Sequence, residues 1–406
     1  MQKQILKGAW WIPSNADEIL FGDLIYSPET GIELNLTGPT KLGRKINQID
    51  PQNRLLLGET LSGERVTLLD WQISQSNFTS DVVCTIDCVA DVAFIGAHFT
   101  HPDQLMFERM DLGLSYLDDW AREILPMYFE FSSTDDFFDT LHVLKCATPL
   151  AKKSSLDSST ISVIYEPSLE RGLNEAILKI ETLFRVQVKT SLSFQAWSTD
   201  WAYPLQNLIT LGTGKEASVT NIHLYSSTIR QRYFDKEQPI SVLHRLKSQT
   251  RDVSFVSDME MLFTMTDPHF DFAKSIQKWM QFTHECEDLY SLYFAVRYKP
   301  ELYAQHQFLS FAQLIESYHR ERRFLGNMNF KTRIDALVTE TNQLTESFAP
   351  PDTTFAQKLL DTRNYLTHYD QTKRERALRE EELIHLMYGT MFLIEACLLQ
   401  ELGFTG

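Results

Sequence analysis

The run Arg363-Asn364-Tyr365-Leu366-Thr367-His368 sets a permanent cation five residues before a proton carrier, in the most helical third of the chain. Arginine keeps its charge at neutral pH, whereas histidine exchanges its proton near it. The pair suits phosphodiester cleavage without a metal, the guanidinium gripping phosphate oxygens while the imidazole moves a proton. At about 100° per residue His368 falls about 140° around a helix from Arg363, with Asn364 between them, so all three can line one broad face. The bland alternative pairs Arg363 with Asp361 or another nearby acid. His368 then only favours a helix C-terminus, by about 0.3–1 kcal/mol.

Apolar residues Phe355, Leu359, Leu360, Tyr365 and Leu366 recur near helical spacing, which predicts that a helix over 353–369 carries this motif. Basic residues Lys373, Arg374 and Arg376 follow at once and suit contact with an RNA backbone, as does an upstream cluster of Arg320, Arg322 and Arg323. Glu321, Glu375 and Glu380 to Glu382 interleave with both clusters and offer surface ion pairs instead. Glu316 sits among Leu314, Ile315 and Tyr318, where a carboxylate either orients an active-site group or faces water. Helical periodicity predicts segments at 271–296, 301–323, 331–347, 353–369 and 374–402, with Pro300, Gly326 and Pro350-Pro351 at their joints. Those segments make an α-helical bundle.

The upstream sequence has the period of strands. Apolar runs over 19–26, 32–36, 54–57, 65–69, 82–90 and 92–99 are separated by turn residues, with helical interruptions expected at 115–124 and 173–184. A helix over 204–211 should stop at Gly212-Thr213-Gly214, a strand should follow at 218–224, and 230–260 reads as a connector. The expected class is α+β. Residues 1–260 form a β-rich, sandwich- or barrel-like domain with some helices, and residues 261–406 form the helical bundle. The tryptophans at 10, 11, 71, 120, 197 and 201 are expected in its core.

Neither His98-x2-His101-x-Asp103 nor Cys84-x3-Cys88 has the paired spacing of a structural zinc site, and Gly212-x-Gly214-Lys215 lacks the remainder of a phosphate loop. No metal or cofactor is expected. The five cysteines, odd in number and mostly in apolar sequence, read as reduced thiols. Met1 to Trp11 lacks the apolar core of a secretory signal and no continuous apolar run nears the ~18 residues of a membrane span, so the expected location is the cytoplasm, with no membrane partner. The 406 residues are 43% hydrophobic and carry a net charge of -16, which argues against a general nucleic-acid coat without excluding an enzyme. From Met261 onward there are 15 basic and 20 acidic residues, against 23 and 34 before it, so the acidic excess lies upstream of the motif.

With Arg363-Asn364-Tyr365-Leu366-Thr367-His368 on one helix and Leu309 to Arg322 on an earlier one, the bundle resembles the ApeA-like HEPN domains. Gly8-Ala-Trp-Trp-Ile-Pro13, Phe21-Gly-Asp-Leu24, Tyr116-Leu-Asp-Asp-Trp120 and Leu205 to Gly214 resemble the N-terminal domain such proteins carry. The resemblance implies an anti-phage, abortive-infection protein whose HEPN domains are dimeric, metal-independent endoribonucleases, with Arg and His from two protomers sharing one cleft. Arg363 and His368 match the catalytic signature, Asn364 matches the polar residue after the arginine, and Glu316 is an accessory match. It further implies RNA as substrate, with tRNA loops a reasonable target, and a sensing task for the N-terminal domain, triggered by a phage-derived activator. The competing expectation is a non-catalytic assembly module that recognises a phage component.

Overall fold

Along Val83–Ala90 every second side chain, Cys84, Ile86, Cys88 and Ala90, is buried, the period of two of a strand with one face in a core. The structure, a computed structural model, describes residues 3–46, 55–78, 82–122, 127–133, 140–172, 176–230, 236–245, 254–345, 353–369 and 371–404. Two compact units result, Met1–Met261 and Leu262–Gly406.

The strands of the first unit are β1 Gln4–Ile12, β2 Asn15–Ser27, β3 Gly31–Pro39, β4 Leu55–Thr60, β5 Arg65–Leu69, β6 Gln72–Asn77, β7 Val83–Ala90 and β8 Val92–Ile95. They continue with β9 Met106–Leu114, β10 Met127–Ser133, β11 Thr140–Cys146, β12 Lys152–Ser155, β13 Ser159–Arg171, β14 Ala176–Ser193, β15 Val219–Tyr225 and β16 Ile240–His244. All but the β10–β11 hairpin join one antiparallel sheet in the order β12-β13-β14-β9-β15-β16-β8-β5-β4-β1-β2-β3-β7-β6. Its helices are α1 Thr40–Ile46, α2 Leu117–Ala121, and a run of α3 Phe194–Ala196, a π-helical turn Trp197–Ala202 and α4 Tyr203–Thr213.

The sheet coils on itself. The Tyr26 hydroxyl on β2 donates to the His244 carbonyl on β16 at 3.1 Å, although five steps of the strand order separate the two. The inner face holds Trp10, Leu24, Tyr26, Leu34, Leu56, Leu68, Ala93 and Leu243. Trp10 lies over β4 because its cross-strand partner there is Gly58, where a Cβ would come 2.3 Å from the indole. Cys84 and Cys88 belong to this core, and burial pushes the Cys88 thiol up to about 12.

Several expectations need correcting. The stripe Ile177, Ile180, Leu183 and Phe184 belongs to β14, not to a helix over 173–184. Phe184 pairs with Val163 on one side and Leu112 on the other, so two ladders of backbone bonds override a weak helical period. The helix expected over 115–124 is only α2, and the 230–260 connector contains β16. Arg54, Ile124, Leu173 and Pro350-Pro351 lie outside the described residues.

The second unit comprises α5 Phe272–Glu285, α6 Glu287–Arg297, α7 Ala304–Arg322, α8 Phe330–Thr345, α9 Phe355–His368 and α10 Glu380–Leu402. The helix expected over 271–296 breaks at Cys286, and the last helix starts at Glu380 rather than 374. Three glutamates at its first turn complement the helix dipole. α10 has the length and hydropathy of a membrane span, yet Leu386, Leu393, Ile394, Leu398 and Leu402 are buried.

Tyr26→Phe removes the hydroxyl bond across the coil, and we expect a loss of about 0.5–1.5 kcal/mol in the urea unfolding of the full chain. An unchanged midpoint would show that apolar packing alone closes the sheet.

Candidate active site

The site is assembled on α7, α8 and α9. α9 buries Ala356, Leu359, Asp361 and Thr362, and this inward face turns Arg363 and Asn364 toward its half-buried flank. The Arg363 guanidinium reaches Glu316 on α7, Nη2 to Oε2 at 3.3 Å, and packs 5.2 Å from the ring centre of Phe330 on α8. Its Nη1 donates to the side-chain Oδ1 of Asn364 at 3.4 Å. Glu316 Oε1 also accepts from Arg320 at 3.1 Å. One carboxylate between two guanidiniums leaves one positive charge without a counter-charge in this trio, which is what an anion-binding spot requires.

His368 occupies the last turn of α9 and is exposed. Five residues of helix carry it about 7.5 Å along the axis and about 140° around from Arg363. Among the described residues no hydrogen bond or ion pair engages its ring. Arg363 does pair with an acid, but with Glu316 rather than Asp361. The buried Asp361 takes Lys373 at 3.2 Å and the amide of Gln357 at 2.9 Å.

Lys373 is thus a tether between the segment after α9 and the helix itself. A second tether runs from the Leu378 amide to the buried Thr362 hydroxyl at 3.1 Å. Of the three cations expected to track RNA, Arg374 and Arg376 remain exposed, without an ion pair among the described residues. The upstream cluster is engaged: Arg320 with Glu316, Arg322 with Glu285 and Glu401, and Arg323 with Glu340 and Glu401.

Two features escaped the sequence reading. α9 ends on Tyr369 in the left-handed region, φ 49° and ψ 37°, its amide donating to the Tyr365 carbonyl at 2.7 Å. A non-glycine residue there costs about 1–2 kcal/mol. The Tyr369 ring meets Tyr365 edge-to-face at 6.0 Å, and Arg379 lies 5.2 Å from the Tyr365 ring centre. An aromatic residue next to a catalytic-type histidine was the available signal.

The other is Arg333, 1% exposed. It donates to the carbonyls of Phe324, Gly326 and Met328 at 2.8, 2.7 and 3.2 Å and to His319 Nδ1 at 2.9 Å. It therefore holds the α7–α8 turn beneath Phe330 and requires His319 to be neutral, its proton on Nε2. Burial lowers the His319 pKa, the charges of Arg333 and Arg323 lower it further, and Glu340 opposes them.

Elsewhere, His98 Nε2 bonds the Gly58 carbonyl at 2.8 Å, and His101 caps a short 3-10 turn. Among the described residues no three His, Cys, Asp or Glu side chains gather as metal ligands. Gly214 ends α4 in the left-handed region as an ordinary helix cap.

The family described as ApeA N-terminal domain 1 matches residues 6–279, more than half of the chain, and the Apea-like HEPN family matches residues 309–406. The chain belongs to the ApeA-like HEPN proteins. Arg363 and His368 lie inside the HEPN match, as does Glu316. HEPN domains are generally ribonucleases that commonly bind RNA and dimerise, and the ApeA-like architecture is that of an anti-phage protein. No curated protein and no solved structure matches the chain.

Because the folded His319 pKa lies below its unfolded value, the unfolded chain binds the extra proton. The stability tied to His319 is present above the ordinary histidine value of about 6.5 and is lost as pH falls through it toward the lowered folded value. Between pH 7.5 and 5.5 we expect the melting temperature of His319→Gln, whose carbonyl can still accept from Arg333, to fall less than that of the parent. Parallel profiles would refute the neutral-histidine assignment.

Proposed function

We propose that this ApeA-like protein is a metal-independent endoribonuclease of anti-phage defence that works in the cytoplasm. Its proposed division is a sensing domain over residues 1–260, answering a phage-derived activator, and an HEPN bundle over 261–406 that dimerises and cuts RNA. Flexible, unstacked loops such as those of tRNA are the proposed target. The observation that carries this reading is the contrast within one helix: Arg363 is oriented by Glu316, Asn364 and Phe330 while His368 stands exposed without a partner among the described residues.

In the proposed reaction His368 takes the ribose 2′-hydroxyl proton, the 2′-oxygen bonds to phosphorus, and the bond from phosphorus to the 5′-oxygen breaks. A 2′,3′-cyclic phosphate and a 5′-hydroxyl result, the leaving oxygen receiving its proton from His368 of a second protomer. Arg363 stabilises the charge growing on the non-bridging oxygens, Asn364 and Glu316 position it, and Arg374 and Arg376 bind flanking phosphates. Lys373 acts through its tether to Asp361. A composite dimer site fits the wide separation of Arg363 and His368 around α9. It also fits the exposed apolar stripe Ile384, Tyr388 and Phe392, four residues apart on α10, as a surface for a second copy.

The non-catalytic reading draws on the same Glu316 pair, since a purely structural arginine makes such a contact. With EDTA present, the full chain should cut total cellular RNA to cyclic-phosphate ends, and His368→Ala should lose about 10²–10⁴-fold in rate. Undiminished cleavage by a folded His368→Ala chain would sink the mechanism, and intact RNA with the parent, phage extract included, would favour the assembly module.

A further inference from the structure

Among the described residues four helices end in the left-handed conformation, and α2 does so on Arg122, whose side chain is held by the Asp119 and Val256 carbonyls. α4 and α10 use Gly214 and Gly403, at φ 66° and 98°, while α9 uses Tyr369. The cap requires only the backbone amide of Tyr369, and the residue is 67% exposed. The fold thus gains neither relaxed backbone nor much burial from this side chain. Strain maintained without a packing return points to a task at the surface.

The place of the ring narrows that task. It directly follows His368, stands edge-to-face to Tyr365, and belongs to a ladder in which Arg379 covers Tyr365. Arg379 is itself anchored by its Nη2 bond to the Arg374 carbonyl at 3.2 Å. Exposed Arg374 and Arg376 lie in the same short connection between α9 and α10. An exposed ring with unpaired cations in the same connection offers the two groups that single-stranded nucleic acids use, base on ring and phosphate on guanidinium.

We propose that Tyr369 is a stacking platform for an unpaired nucleobase next to the scissile phosphate, which makes single-stranded RNA the substrate class. The proposal rests on the ribonuclease reading above and deepens it. Attack by the 2′-oxygen needs a nucleotide turned out of the helical stack so that attacking and leaving oxygens can align. A base held on Tyr369 keeps its ribose beside His368 in that conformation. Every base offers a π face, so the platform discriminates paired from unpaired nucleotides and only weakly among the four bases.

The test uses the full chain carrying His368→Ala, which leaves RNA uncut, and a short fluorescent RNA without secondary structure, read by anisotropy. Adding Tyr369→Gly relaxes the backbone and deletes the ring, so the melting temperature should rise or hold while single-strand binding weakens about fivefold to hundredfold, the usual loss for one stacked base. Tyr369→Phe should bind as the parent does, and the same RNA annealed to its complement should not respond to Tyr369→Gly. Equal binding of single strands with and without the ring, or no measurable single-strand binding, overturns the proposal. Ring-dependent binding together with an uncut RNA in the wild-type assay would retain the platform and discard the ribonuclease.

Discussion

The contact between Arg363 and Glu316 sets the terms for the rest of the site. It joins α9 to α7 over the Phe330 ring of α8, so the position of one guanidinium reports the packing of three helices. An ion pair this open to water contributes little to stability, about 0–1 kcal/mol. Its value lies in direction: a long, flexible side chain is held in one pose, so less ordering would be left for the proposed phosphate contact. Sharing Glu316 with Arg320 prevents the carboxylate from cancelling the charge it orients.

The α7–α8 turn holds a buried cation that pairs with no acid among the described residues. Arg333 is satisfied by three carbonyls and a neutral imidazole, which spreads its charge over dipoles instead of pairing it with a second buried ion. The arrangement stiffens the α7–α8 turn and with it the first residue of α8, Phe330, on which Arg363 rests. The order of dependence runs from a buried network, through an aromatic ring, to the half-buried guanidinium of Arg363.

The sequence exposed some of these layers better than others. The α+β division and the helices of the bundle were readable because their periods are long and breakers such as Pro300 and Gly326 stand at the joints. β14 was not, because Ile177, Ile180, Leu183 and Phe184 fit a helical stripe, while the pairing that makes them a strand involves the preceding β13 and the distant β9. Arg363, Asn364 and His368 were visible as a motif. Its acid partner was not, since Asp361 is two residues away along the chain but turned inward to Lys373, and Glu316 arrives from another helix. Lys373 and Arg374 look equivalent in sequence; only the fold separates the tether from the free cation. Tyr369 is marked in the sequence only by its place after His368, because its left-handed backbone leaves no trace in composition or spacing.

The buried thiols have a use of their own. Cys84 and Cys88 lie inside the coiled sheet, Cys286 and Cys397 inside the bundle, and desolvation holds Cys88, Cys286 and Cys397 in the unreactive protonated form. An alkylating reagent reaches each pair only when the surrounding structure opens. The chain therefore carries an intrinsic clock in each half, and the labelling rate of each pair separates breathing of the sheet from breathing of the helices without a foreign probe.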